Sequence, residues 1–229
     1  MSEILEKEKV KKEISVRDYY KVLLVGPSGD GKTMSFKDMN PLTTGFINVE
    51  NKPLPFKNNF KYHSKPDNTS EVLNAIKEYA INSDITAIAL DSFSAFTDMA
   101  VAEGRATKKG FDIWNYYNET ITKFNSYVKK TPKEMYITAH YEILGIEGSM
   151  EKRVKVKGRE WEGTVEKDYA IVLYSGKKYN DGTKRFNYYY DLVLENGSAK
   201  CPPLIFGEDV MRIDNDVKLI DEKIKQFSI

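Results

Sequence analysis

The chain has 229 residues, 41% of them hydrophobic and 30% charged, with a formal net charge of +1. That length suits one α/β domain with a full core and is short for two, and the composition is that of a folded globular protein rather than a disordered chain. A near-neutral charge excludes wholesale electrostatic attraction to nucleic acid, so any such site has to be a local patch. The single cysteine, Cys201, excludes an internal disulfide and fits a reducing compartment. Segment 1–18 is charged and has no apolar centre like that of a signal peptide, and no apolar stretch approaches the ~20 residues that span a bilayer. The expectation is a cytoplasmic protein with no membrane partner.

In chain order, residues 20–25 are a short, continuously apolar run, as expected of a strand buried on both faces. A glycine-rich loop follows, and segment 32–39 reads as the helix after it. Residues 45–49 form a second strand-like run ending at Glu50. Segment 70–81 sets Leu73, Ile76 and Ala80 on one stripe, with Asn68 or Thr69 as the cap. A third apolar run, 85–90, leads directly into Asp91. Helical spacing returns at 112–129 through Ile113, Tyr117, Ile121, Phe124 and Val128, and Lys129-Lys130 suits the C-terminal end. A fourth strand, 135–139, precedes His140. Beyond Tyr141 the pattern changes to basic and apolar alternation at 153–157 and strands at 170–174 and 186–194. Asn180-Asp181-Gly182 is the turn between those strands, and a helix at 216–227 closes the chain. Strands alternating with helices imply βαβ units, so the fold class is α/β: a mostly parallel sheet flanked by helices, with antiparallel hairpins in the C-terminal third. One domain over 1–229 is the expectation, with 141–168 as a long basic hairpin or loop.

The loop Gly26-Pro27-Ser28-Gly29-Asp30-Gly31-Lys32-Thr33 satisfies G-x-x-x-x-G-K-[ST] between a strand and a helix-like segment. Glycines let successive backbone N–H groups curl toward phosphate oxygens. The loop and Met34 would form the binding surface, with Lys32 opposite the β- and γ-phosphates. The Thr33 hydroxyl is a hard ligand for Mg²⁺. Asp91, at the carboxyl end of a buried parallel strand, is placed to hold the same ion, or else to cap the next helix. Glu50 reaches the same sheet edge and is placed to orient or deprotonate an attacking water, or else is a solvated loop carboxylate.

The order of these features, a phosphate loop, "INVEN", "LDSFSAF" and "MYITAHYE", resembles the RecA-like ATPases. It is most similar to compact phage-encoded versions that act as core-only recombinases or single-strand annealing proteins. The resemblance covers residue 20 to the C-terminal helix, although only the phosphate loop is a specific motif. It implies a RecA-like P-loop core using ATP and Mg²⁺, with Glu50 as the catalytic glutamate and Asp91 on the Mg²⁺ side. It also implies His140 as a γ-phosphate sensor and Lys200 as a basic finger reaching a neighbouring subunit's nucleotide.

Partners implied in the same way are single-stranded DNA, further copies of the chain in a ring or filament, and a single-strand DNA-binding protein. Two loops would meet DNA. The first, 103–110, carries Arg105, Lys108 and Lys109. The second, about 145–166, would align Arg153, Lys155, Lys157 and Arg159 on one strand face and offer Trp161 for stacking a base. Glutamates at 147, 151, 160, 162 and 166 dilute that patch, and a solvated hairpin with Trp161 packed beneath is the alternative. A nucleotide-kinase-like phosphotransferase and a nucleotide-gated scaffold with little hydrolysis also remain open. A GTPase is disfavoured, because Asn51-Lys52-Pro53-Leu54 lacks the aspartate that reads guanine in N-K-x-D.

Overall fold

The structure, a computed structural model, describes residues 19–57, 59–146 and 148–228; the charged segment 1–18 lies outside the described residues. Strand β1 (Lys21–Val25) is buried along its whole length. So are β2 (Thr44–Asn48), β4 (Ala87–Asp91) and β5 (Glu134–Ala139), while β3 (Tyr62–Ser64) is a short, half-buried edge. With β8 (Ile171–Asn180), β9 (Arg185–Asp191) and β10 (Arg212–Asp214) they form an eight-stranded sheet of order β10-β9-β8-β1-β5-β4-β2-β3. From β8 through β3 every pairing is parallel, and β9 and β10 are added antiparallel. The fold class is therefore the expected one.

Alternation along the buried strands supplies two cores. Leu23 and Val25 of β1 face helices α1 (Thr69–Ile81), α2 (Phe93–Thr107) and α3 (Asp112–Lys130) through Ile76, Phe96, Ile121 and Phe124. Val22 and Leu24 face the other way, toward α4 (Pro203–Phe206) and α5 (Val217–Phe227) through Ile205, Val217, Ile220 and Ile224. Burying each such side chain contributes about 1.5–3 kcal/mol. Asn68 caps α1 by accepting from Glu71 N at 2.9 Å, and Ser92 caps α2 by accepting from Ala95 N at 3.2 Å.

Two expectations are corrected. Segment 32–39 is a single 3-10 turn, Thr33–Phe36, instead of a helix. Pro41 disfavours helical backbone at Asn40, and β2 has to start at Thr44, so the chain has no room for further turns. The phosphate loop consequently lacks the macrodipole of a full helix, and its anion field comes from backbone amides and Lys32. The basic segment 103–110 is mostly helix: α2 runs to Thr107, and Gly104 lets α3 approach so closely that a Cβ there would lie 3.1 Å from Ile113 O.

The long segment after His140 is a separate hairpin of β6 (Tyr141–Ile146) and β7 (Ser149–Val154), followed by turns and a 3-10 helix at Val165–Asp168. Among the described residues, no helix is long and apolar enough to cross a membrane.

Candidate functional site

The phosphate loop leaves β1 at the carboxyl edge of the parallel sheet, where open α/β folds bind ligands. Gly29 and Gly31 take positive φ of 83° and 78°, which the inward curl of the loop requires. Lys32 turns back over the loop, its Nζ donating to Gly26 O and Pro27 O, each at 2.8 Å. Burial lowers its pKa, opposed by the nearby Asp91, Glu50 and Asp30 carboxylates.

Strand β5 lies between β1 and β4, so Asp91 reaches the loop across one intervening strand. Thr33 Oγ1 donates to Asp91 Oδ2 at 2.7 Å, and Thr138 Oγ1 of β5 donates to Asp91 Oδ1. The helix cap is Ser92, which leaves Asp91 committed to the loop side. The Asp91–Ser92 peptide is cis. Burial pushes the Asp91 carboxyl above the usual carboxylate range; the two threonine hydrogen bonds oppose this and Glu50 adds to it.

Glu50, just past the end of β2, faces the same space. Its Oε2 pairs with Lys52 Nζ at 2.7 Å and its Oε1 accepts from Ser92 Oγ at 3.2 Å. Burial raises its pKa, but Lys52, Ser92 and His140 together outweigh that and leave it below the ordinary value. His140, directly after β5, sets Nε2 3.9 Å from Glu50 Oε1 and Nδ1 3.2 Å from Gly26 O. Burial, then Lys32, lowers its pKa, so the ring is neutral near pH 7.

Magnesium is a hard cation that takes one or two protein oxygens and completes its shell with phosphate and water. A threonine hydroxyl and a carboxylate 2.7 Å apart fit that requirement. Among the described residues no cluster of three or more His, Cys, Asp or Glu could hold a metal by itself. The donor set thus suits an ion that arrives with a phosphate ligand.

A cavity of about 990 Å³ lies over the loop and is lined by Lys32, Thr33, Met34, Glu50, Asp91 and His140. Lys37, Lys52, Arg185, Phe186 and Tyr188 line it too, and none of them stands out in the sequence. Lys52 enters the sequence reading only as the lysine of an N-K-x-D-like stretch that lacks its aspartate. Lys37 directly follows the 3-10 turn, whereas Arg185, Phe186 and Tyr188 reach the cavity only because β8 and β9 fold back beside the loop.

Lys200 is placed elsewhere. Its backbone exchanges hydrogen bonds with Val172 of β8, at 2.9 and 2.8 Å, and it does not line this cavity. Arg105, Lys108 and Lys109 are exposed at the end of α2. In the second basic segment the four-residue ladder is broken. Arg153 pairs with Glu151 within β7, and the strand ends at Val154. Lys155 and Lys157 keep the alternation around buried Val156, but Gly158, at φ 79°, turns the chain before Arg159. Trp161 is half-buried against the core and donates its indole N–H to Asn118 Oδ1 at 3.0 Å, the packed arrangement that is the alternative to base stacking.

A phosphate loop, a paired hydroxyl and carboxylate, and a second carboxylate on neighbouring strand ends together define a P-loop NTPase. A family model described as an AAA domain matches residues 18–191, and the chain belongs to that family. Membership indicates binding and hydrolysis of ATP. The match ends with β9, so Lys200, β10 and α5 lie beyond it. A comparison with curated proteins gives no match.

Proposed function

We propose that this protein is a Mg²⁺-dependent, RecA-like ATPase that couples nucleotide state to single-stranded DNA and works as a ring or filament of identical subunits. Phage recombination, strand annealing or replication is its setting, and a single-strand DNA-binding protein is a partner. The observation that carries the coupling is the placement of His140. Its ring touches Glu50 and Gly26, while its backbone carbonyl accepts from Lys155 N at 2.8 Å. One residue thereby joins the nucleotide cavity to the basic segment. A groove of about 260 Å³ on the far side of His140 is lined by Ser94, Asp98, Lys155 and Lys157.

In hydrolysis, Glu50 orients a water in line with the γ-phosphorus. The water oxygen forms the new P–O bond as the bond to the β–γ bridging oxygen breaks. The proton passes to Glu50, and ADP leaves with the bonding pair. Lys32 and the loop amides neutralise charge on the phosphates. Thr33 and Asp91 would hold Mg²⁺, which supplies further charge neutralisation at the phosphate oxygens. His140 registers the γ-phosphate and passes its presence to the hairpin through Lys155. Lys200 reaches a neighbouring subunit's nucleotide.

The test is ATP turnover with and without single-stranded DNA, for wild type, Lys32→Ala and Glu50→Gln. Stimulation by DNA that both variants abolish is the expected result. Turnover indifferent to DNA, with no DNA binding, removes the coupling and leaves an ATPase. For the finger, Lys200→Ala mixed with Glu50→Gln should recover activity that neither has alone; mixtures no more active than their parts exclude a shared site.

A further inference from the structure

We infer that the β8–β9 hairpin is the wall on which the base of the nucleotide stacks, so that one chain supplies both the phosphate loop and the base site. This rests on the phosphate-loop reading above and adds the ligand's other end. Phe186 and Tyr188 are 50% and 40% exposed, a large apolar area to leave in water, and both line the 990 Å³ cavity beside the loop. Alternation puts them on one face of β9 with Tyr190, whose hydroxyl lies 3.0 Å from Ser35 Oγ beneath the loop. Across the ladder, Tyr179 pairs with Phe186 and Lys177 with Tyr188, which places both partners on the same face.

The wall is fixed to the loop. Lys177 Nζ bridges to Asp30 Oδ1 at 3.0 Å and Gly29 O at 3.2 Å. Asn215 ties the two by donating its backbone N–H to Tyr188 O at 3.3 Å and its Nδ2 to Asp30 O at 3.4 Å. Gly31 lies so close to the Tyr188 ring that a Cβ there would approach Cδ1 to 3.0 Å. The rings therefore hold a set distance from the phosphate-binding amides.

The cavity lining combines two chemistries. Lys32, Lys37, Lys52 and Arg185 supply cations to its lining, and Phe186 with Tyr188 supply aromatic rings. The matching ligand has a polyanionic tail and a flat π-headed body, which is a nucleoside triphosphate. The volume is in the range that encloses a whole ligand of that size. Stacking alone tolerates any base, because each has a π face.

The experiment measures binding of Mg·ATP and of magnesium tripolyphosphate by calorimetry to wild type, Phe186→Ala, Tyr188→Ala and Tyr188→Phe. ATP affinity should fall roughly ten- to a hundredfold in Tyr188→Ala and less in Phe186→Ala, and be kept in Tyr188→Phe. Tripolyphosphate affinity should be the same in all four, which also reports an intact loop. Equal losses for both ligands overturn the inference, as does unchanged ATP affinity in both alanine variants. Wild type that binds tripolyphosphate as tightly as ATP rejects the base wall and spares the loop. Wild type that binds neither rejects the loop reading itself, and the wall with it.

Discussion

Thr33 Oγ1 donates to Asp91 Oδ2 at 2.7 Å, so the phosphate loop and β4 are joined by a single bond at the point where a divalent cation would sit. Thr138 binds the other oxygen. Both partners are neutral, and among the described residues no basic side chain pairs directly with this buried carboxylate, an arrangement that favours function over stability.

Replacing that charge should therefore stabilise the nucleotide-free protein. Asp91→Asn is expected to gain about 1 kcal/mol at neutral pH, because the amide keeps an acceptor for one threonine and removes the buried charge. The sign of the pH dependence follows from the raised pKa. The unfolded chain loses this proton near 3.8 while the native chain holds it to higher pH. The native state binds more protons in that window, so wild-type stability falls as pH rises through it. The variant should lack that fall, and should also lose the thermal shift given by Mg·ATP. Urea unfolding across pH checks the first outcome and a thermal melt with ligand the second.

His140 offers a direct probe of the site's field. Burial and Lys32 hold its pKa below 6.5, against Glu50 and Asp91. Lys32→Ala should raise it, and Glu50→Gln should lower it further. The chain has two histidines, so NMR titration with His63→Gln as the background follows one ring. Shifts in the same direction for both variants would refute the arrangement. The unfolded chain protonates first, near 6.5, so stability from the neutral ring is lost as pH falls below that value.

Gly26 presents a steric test. Its backbone passes so close to β8 that an added Cβ would overlap Ser175 Oγ. Gly26→Ala should destabilise by about 2–3 kcal/mol through overpacking. Ser175→Gly on that background should restore more than half of the loss, since the two sites are in contact and not additive. Chemical unfolding of the two single variants and the double variant gives the coupling; additive effects would place the strain elsewhere.

Lys21 is a buried cation remote from the site. Its Nζ donates to Thr131 O at 2.8 Å and Lys133 O at 2.6 Å. Burial lowers its pKa from 10.5 to about 8, against the pull of Glu134. Between those values the unfolded chain binds more protons than the native one, so stability should rise with pH by up to about 3 kcal/mol. The stability difference between wild type and Lys21→Met should grow in favour of wild type between about pH 8 and 10, as the unfolding midpoint in urea would report.

What the sequence made legible is local or periodic. The phosphate loop carries its chemistry within eight consecutive residues, 26–33, and the strands feeding Glu50, Asp91 and His140 are buried runs whose ends fall on one edge of a parallel sheet. Helix 32–39 misled because local propensity gave way to Pro41 and the nearby start of β2. The packing partner of Trp161, Asn118, lies 43 residues away on α3, where no spacing argument reaches, so the sequence leaves its two readings open. Tyr188 and Lys177 carry no local signal for a related reason. Their relevance depends on β8 pairing with β1, which sets a C-terminal hairpin beside an N-terminal loop.

Lys32, folded onto Gly26 O and Pro27 O, makes the loop its own competitor. Two of the three ammonium N–H groups are taken by those carbonyls, so an incoming anion meets one free donor and gains the others only by displacing the carbonyls. A singly charged ion offers little beyond what the carbonyls already give. A triphosphate brings several oxygens to the loop amides at once and can draw the lysine across. Full capture of the lysine therefore favours a ligand of high charge density over a small, singly charged one.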